Sequence, residues 1–184
     1  MDRRNLLTLG GAAVLAAGAT SAWADDDIAQ KIINLPSPAQ FRVDGTGAPS
    51  EVRSDSTVQG GKALRVHVPG KGVNEWDVSV AVPIVKPVKA GDKIVLAFWA
   101  RLIEGENGAT TTVLPYNAVQ MAGPPYTPLF GGPVTIGADW KLQSVTGNAS
   151  KDFKKGELNV ALHLATGRQV VDIGPVFVLD LGQG

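Results

Sequence analysis

Alternation of apolar and polar residues dominates this chain. In the stretch IVLAFWARL, residues 94–102, every even position is apolar, whereas Trp99 and Arg101 occupy odd positions. Because successive side chains of a strand point to opposite faces, this segment predicts one buried face and one that carries Trp99 and Arg101. The same pattern, interrupted by glycine, proline, asparagine and aspartate, predicts strands at residues 63–68, 76–82, 93–102, 110–117, 134–137, 140–147, 157–165 and 170–181.

Helical periodicity is confined to DDDIAQKIINL, residues 25–35, where the three aspartates could cap a short helix that Pro36 and Pro38 end. Eight or nine strands without a long helix predict an all-β fold, a two-sheet antiparallel β-sandwich. The longest stretch without a predicted strand, residues 117–133, contains four prolines and two aromatic residues, Tyr126 and Phe130. Either a functional loop or a proline-stiffened crossover between the sheets fits this stretch.

The first residues have the pattern of an export signal. Arg3 and Arg4 precede an apolar run, residues 6–19, and AWA at 22–24 fits a small-x-small cleavage motif. We expect a signal peptide over residues 1–24 and one β-sandwich domain over residues 25–184, located in the periplasm or secreted. The apolar run is too short for a membrane span, and the paired arginines are compatible with twin-arginine export.

Composition excludes several kinds of chemistry. The chain has 17 basic and 17 acidic residues with no basic cluster, which argues against a nucleic-acid partner. It has no cysteine, so disulfides and thiol chemistry are excluded. His67 and His163 are its only histidines, and each stands in a separate predicted strand without a carboxylate at ligand spacing. We therefore expect no catalytic activity, no metal site and no cofactor.

Aromatic side chains are the best candidates for ligand contacts, since flat rings on a sheet, beside amides, suit sugars. Trp140 shares the phase of Leu142 in its strand, which predicts a core position. Trp76 stands at the start of a strand, where a core position and a rim position are both open. Tyr116 stands near a strand end and is expected to be exposed.

Several segments, read in order, resemble a known family. These segments are GKALRVHV (61–68), NEWDVSVAVPI (74–84), KAGDKIVLAFWARL (89–102), DWKLQSVTG (139–147) and GELNVALHLATGRQVVDIGPVFVLDLG (156–182). Over residues 49–182 the chain is similar to carbohydrate-binding modules of the CenC-like class, families 4, 9 and 22. The resemblance implies a galactose-binding-domain-like jelly roll whose concave sheet binds a plant- or microbe-type polysaccharide or oligosaccharide, without catalysis. Such a module would act alone as a glycan binder or beside a separately encoded glycoside hydrolase.

The resemblance further implies where the ligand binds. The concave sheet would contain the strands at 76–82, 110–117 and 157–165. Its ligand-binding residues would be Trp76, Asp77, Tyr116, Asn159 and His163, and Tyr126 is a further candidate as one of the chain's aromatic residues.

The family pattern gives Trp99 and Arg101 a different role. Their strand would lie in the opposite, convex sheet, where either residues 28–41 cover them or they form a second binding site. Many relatives hold a structural calcium through an aspartate of the last strand. This chain has Ile173, Gly174 and Pro175 there, which argues against that calcium.

Two alternatives stay open. One is a structural or protein-interaction sandwich without sugar binding, because small residues share the face of the candidate site at Ser79, Ala81, Ala161 and Ala165. The other is a jelly-roll polysaccharide lyase, for which His163, Tyr116 and Asn159 would supply part of the catalytic set.

Overall fold

Two antiparallel five-stranded sheets make up the fold in the computed structural model, which describes residues 27–183. Sheet I has the order β2-β3-β10-β5-β8, and sheet II has the order β1-β4-β9-β6-β7. The strands are β1 Arg42–Asp44, β2 Ser50–Ser54, β3 Lys62–Val68, β4 Ser79–Pro83, β5 Lys93–Glu104, β6 Thr111–Met121, β7 Pro128–Gly137, β8 Lys141–Asn148, β9 Leu158–His163 and β10 Gln169–Asp180. The all-β sandwich expected from the sequence is confirmed.

The described residues from Lys31 onward form one compact unit that contains both sheets, and residues 27–30 belong to a preceding unit, where they are helical. The expected signal peptide and its cleavage site lie outside the described residues, as do the expected helix-capping residues Asp25 and Asp26. Three-residue 3-10 helices occur at Pro38–Gln40, Gln59–Gly61, Glu75–Asp77 and Glu106–Gly108. Within the described part of the chain, no helix is long and apolar enough to cross a membrane.

The core lies between the sheets and follows the alternation of the sequence. On β5 the even residues from Ile94 to Leu102 are all buried, and Phe98 has no exposed surface. They pack with fully buried residues of the other sheet such as Val80 and Leu162. Each large apolar side chain buried here contributes roughly 2 kcal/mol to stability. This core fixes which residues of each strand point outward.

The region between β6 and β7 differs from the expectation. β6 continues to Met121 and β7 begins at Pro128, so only residues 122–127 connect them, and no long functional loop spans 117–133. Glycines and prolines in β7 obscured its alternation, although Asn117 pairs with Gly132 and Ala118 pairs with Gly131 in a regular antiparallel ladder.

From Ile32 onward the N-terminal segment runs beside β10 and does not cover Trp99 and Arg101, contrary to the expectation for this part of residues 28–41. Ile32 forms a bridge with Leu179. The side-chain amide of Asn34 donates to the carbonyl of Val176 and accepts from the N–H of Val178, at 2.8 Å in both cases. Because these bonds hold the segment in the ladder of β10, it cannot lie over β5.

A loop between β2 and β3 contacts Trp99 and Arg101 instead. The Trp99 indole N–H donates to Gln59 at 3.0 Å, and Arg101 donates to Asp55 at 2.7 Å. Arg101 also pairs with Asp172 at 2.9 Å, and Arg65 pairs with the same carboxylate at 2.7 Å. Two guanidinium groups thus compensate the desolvation of Asp172, whose exposed fraction is 1%.

Trp140 was expected in the core, and this prediction was wrong. Its ring is partly exposed, and the guanidinium of Arg101 lies 4.6 Å from the ring centroid. Trp140 precedes β8, which begins at Lys141 and is an edge strand of sheet I, so alternation there does not distinguish the core side reliably.

Candidate functional site

The outward face of sheet II brings most of the predicted site residues onto one surface, which we call the sheet II face. It consists of the outward-pointing residues of β4, β9, β6 and β7. The register places His163 opposite Ser79, and Gln120 opposite Asn159. Between these two rows lies a third, in which the ladder pairs small residues in the order Ala81, Ala161, Ala118 and Gly131. The strands expected to share the binding sheet are therefore together, and β5 lies in the other sheet, as predicted.

The middle row forms a low floor. A Cβ atom at Gly131 would lie 2.6 Å from the Cβ of Ala118, so the closest approach of β6 and β7 depends on this glycine. Ala118 has no exposed surface and Ala161 is 5% exposed. Larger side chains from neighbouring rows can therefore lie across this floor.

His163 lies on this face, where it contacts the rings of Tyr116 and Trp76 and is largely buried. Its imidazole stacks on Tyr116, with centroids 4.3 Å apart, and meets Trp76 edge-on at 6.0 Å. Only 8% of the residue is exposed, and this burial lowers the pKa of His163 to about 4. Its Nδ1 is buried and has no hydrogen-bond partner among the described residues. We therefore expect a neutral ring with its proton on Nε2, since a buried N–H without a partner is rarer than an unpaired acceptor.

Tyr116 is positioned by an irregularity of β6. The pairing with β7 shifts between Leu114 and Asn117, and the buried side-chain amide of Asn117 donates to the carbonyls of Leu114 and Gly132. These bonds satisfy backbone carbonyls beside the bulge. The Tyr116 hydroxyl donates to Oε1 of Gln120 at 2.9 Å, and burial raises the pKa of the Tyr116 phenol. Tyr116 is partly buried, not fully exposed as expected.

Trp76 and Asp77 do not begin a strand, contrary to the prediction for residues 76–82. They belong to the 3-10 helix Glu75–Asp77, and β4 starts at Ser79. A capping box between Asn74 and Asp77 closes this turn: the Asp77 carboxylate accepts from the backbone N–H of Asn74 at 2.9 Å. That bond is the main reason that the pKa of Asp77 lies below its usual value. The turn presents Trp76 at the rim with 59% of its surface exposed.

The remaining predicted residues lie farther along the face. Asn159 stands beside Gln120, and its Oδ1 is a buried atom without a partner in the described part of the protein. Tyr126 is 52% exposed in the turn that follows β6, and no ring contact joins it to Trp76, Tyr116 or His163 within residues 27–183. Since β6 runs on for five residues after Tyr116, about 17 Å in a regular strand, Tyr126 lies at the opposite end of the face.

Sequence reasoning missed Gln120, which is 7% exposed and contacts Tyr116 directly. The signal was present, because Tyr116, Ala118 and Gln120 have the same parity. The strand was expected to end at residue 117, which placed Gln120 in a loop.

Metal binding has little support from the described residues. In residues 27–183, no three His, Cys, Asp or Glu side chains lie close enough together to hold an ion. At the place of the family's calcium-holding aspartate, β10 has a bulge between Ile173 and Val176. The expected absence of calcium stays a prediction.

No protein-family model matches the chain, and no curated protein matches it. Solved structures do match. A family 4 carbohydrate-binding module (CBM4) has a TM-score of 0.58 and 20% identity, covering 78% of this chain and 96% of that one. The N-terminal cellulose-binding domain of a β-1,4-glucanase from Cellulomonas fimi has a TM-score of 0.57 and 17% identity, covering 81% and 93%.

A family 22 xylan-binding domain from Paenibacillus barcinonensis has a TM-score of 0.52 and 10% identity, covering 84% of this chain and 94% of that one. At such low identity these likenesses show the fold. The protein therefore has the fold of the CenC-like carbohydrate-binding modules that its sequence resembles.

Proposed function

We propose that this protein is a non-catalytic carbohydrate-binding protein that holds a polysaccharide or oligosaccharide on the sheet II face. The observation that carries the proposal is the ring cluster of Trp76, His163 and Tyr116, assembled from three separate elements on one outward surface. Similar folds occur in domains described as cellulose-binding and xylan-binding.

The geometry suits a sugar in two respects. Trp76 is a largely exposed ring at the rim, against which the C–H face of a sugar can stack. The amide group of Asn159 and the imidazole of His163 provide hydrogen-bonding capacity for hydroxyl groups along the same face.

Charge distinguishes this proposal from the lyase alternative. No outward-pointing residue of β4, β6, β7 or β9 is charged. A lyase that acts on uronates needs a cationic group, or an equally strong hydrogen-bond donor, to stabilise the negative charge that develops on the carboxylate. The uncharged face favours binding of a neutral glycan without reaction.

We further propose that the protein works outside the cytoplasm, since its first 24 residues have the pattern of a signal peptide. That pattern is compatible with a periplasmic location and with secretion. It is also compatible with export by the twin-arginine pathway. A glycoside hydrolase that acts on the same polysaccharide is the proposed partner, and no cofactor is required.

Affinity electrophoresis of the purified protein tests the proposal. Native gels would contain xylan, mixed-linkage β-glucan, mannan, or a uronate polymer such as pectate. We expect retardation by at least one neutral polysaccharide and none by pectate. Unchanged mobility in every gel, together with capture of a protein partner, would favour the structural alternative. An increase in ultraviolet absorbance from unsaturated products on pectate or alginate would support the lyase alternative.

A further inference from the structure

We infer that Gln120 is a positioning residue of the glycan site, which holds the ring of Tyr116 across the small-residue floor of the sheet II face. This inference rests on the proposed function and adds to it a residue that does not need to touch the sugar. Its action is on Tyr116, whose free face would form part of the binding surface.

The hydrogen bond between the two side chains requires an unusual arrangement. Tyr116 and Gln120 are four residues apart on one strand, a separation of about 13 Å between their Cα atoms in regular β structure. Their polar atoms are nevertheless 2.9 Å apart. Both side chains must therefore lie along β6 and over the residue between them, Ala118, which has no exposed surface.

The floor makes this arrangement possible. Ala118 pairs with Ala161 on one side and Gly131 on the other, so no long side chain obstructs the ring. A branched or long residue in this row would push Tyr116 upright. The row of small residues is thus explained by the ring that lies on it.

Tyr116 is held at two points. One face stacks on His163 with 20° between the planes, and the hydroxyl at the far end of the ring donates to Gln120. Without the hydrogen bond, the hydroxyl end of the ring would lose this fixed point. Gln120 is itself largely buried, and a buried amide oxygen needs a donor. The bond therefore fixes the ring before the ligand arrives, which lowers the entropic cost of binding.

Three single variants and one double variant separate this role from direct contact. Gln120→Met keeps the length of the side chain but removes the acceptor, whereas Gln120→Glu keeps an acceptor oxygen. Tyr116→Phe keeps the ring and removes the donor, and the double variant combines Phe at 116 with Met at 120. Gln59→Met is the matched control, because Gln59 accepts a hydrogen bond from Trp99 on the opposite sheet.

Calorimetric titration with a glycan that the wild type binds gives the first measurement. We expect Gln120→Met and Tyr116→Phe each to weaken binding about fivefold to tenfold, with the double variant no weaker than either alone. Gln120→Glu should restore affinity to within about twofold, and Gln59→Met should leave it unchanged. Losses that multiply in the double variant would mean that Gln120 contacts the glycan directly, and would overturn the inference. So would a Tyr116→Phe variant with unchanged affinity.

Titration of the phenols by ultraviolet absorbance gives the second measurement, which needs no ligand. The chain has two tyrosines, so the titration uses a Tyr126→Phe background in which Tyr116 is the only phenol. We expect the pKa of Tyr116 to fall in Gln120→Met, because the ring loses its fixed, partly buried position. An unchanged Tyr116 titration would overturn the positioning role. A wild type that binds no glycan but shows the expected titration would refute the proposed function alone.

Discussion

The imidazole of His163 stacks on the phenol ring of Tyr116, with centroids 4.3 Å apart and planes inclined by 20°. This contact joins β9 to β6 on the outward face of sheet II, where alternation alone would leave both side chains in solvent. His163 consequently acts as support for the aromatic surface, with only its Nε2 edge suited to contact a ligand.

The first prediction concerns the contribution of His163 to stability. His163→Ala removes the support of Tyr116 and Trp76, so we expect the free energy of unfolding to fall by about 1–3 kcal/mol. Urea denaturation followed by tryptophan fluorescence measures this change. His67→Ala is the control, because His67 is exposed on β3 and its loss should cost less than about 0.5 kcal/mol. Equal, small effects of the two substitutions would contradict the buried position of His163.

The second prediction concerns pH. Because burial lowers the pKa of His163 to about 4, the folded protein resists its protonation more than the unfolded chain, whose histidine pKa is about 6.5. The stability that neutral His163 provides is therefore complete above pH 6.5 and is lost as the pH falls toward 4, by at most about 3 kcal/mol. The stability difference between wild type and His163→Ala should shrink over this range. A His163 imidazole resonance that titrates above pH 6 by NMR would refute this prediction.

A third prediction concerns Asp180, at the end of β10. Burial and then the nearby carboxylate of Asp92 raise the pKa of Asp180. A raised carboxyl pKa means that the folded state loses stability as the pH rises through that pKa. Asp180→Asn removes the charge and can keep the bond from the Gly182 N–H, so it should stabilise the protein at pH 7 by up to about 1 kcal/mol.

This gain should disappear near pH 3, which chemical denaturation at several pH values would show. Asp152→Asn is a control of opposite sign, because the ion pair with Lys89 lowers the pKa of Asp152. A gain of stability at pH 7 in both variants would contradict the assignment.

The fourth prediction tests which of the two sheets binds the glycan. Asp172→Asn leaves Arg65 and Arg101 without their shared buried carboxylate, so we expect a loss of about 3 kcal/mol of stability. Asp44→Asn removes an exposed ion pair with Arg42 and should cost less than about 1 kcal/mol. Glycan affinity of the folded Asp172→Asn variant should equal that of the wild type. Weaker binding would place the ligand on sheet I.

The sequence predicted the sandwich because its central strands, such as β5, alternate strictly over long runs. It missed β1 and β2, since short, exposed edge strands carry polar residues and leave no apolar period. Trp76 was assigned to a strand because its phase matched that of Val78. The capping box between Asn74 and Asp77 instead holds Trp76 in a 3-10 turn that precedes β4.

The sequence predicted individual residues of the candidate site but not the contacts between their side chains. Parity placed Asn159 and His163 on one outward face, and the family resemblance added Tyr116, which shares the parity of the core residue Leu114 and points outward because of the bulge in β6. Parity cannot show that the Tyr116 side chain extends along β6 to Gln120, because that depends on the register between Ala118, Ala161 and Gly131 on three strands. The loop that contacts Arg101 was likewise invisible, since the contact with Asp55 joins residues 46 positions apart.

The central claim is tested most directly by comparing the affinities of two variants, Trp76→Ala and Leu142→Ala. The ligand is a neutral polysaccharide that retards the wild type in affinity electrophoresis. Trp76 is 59% exposed on the rim of the sheet II face, and Leu142 is 53% exposed on β8 of sheet I, so both substitutions remove an exposed apolar side chain. We predict that Trp76→Ala weakens binding about tenfold or more, some 1.4 kcal/mol, with an unchanged melting temperature, and that Leu142→Ala binds like the wild type. Undiminished affinity in Trp76→Ala, or a loss in Leu142→Ala alone, would show that the glycan does not bind on the sheet II face.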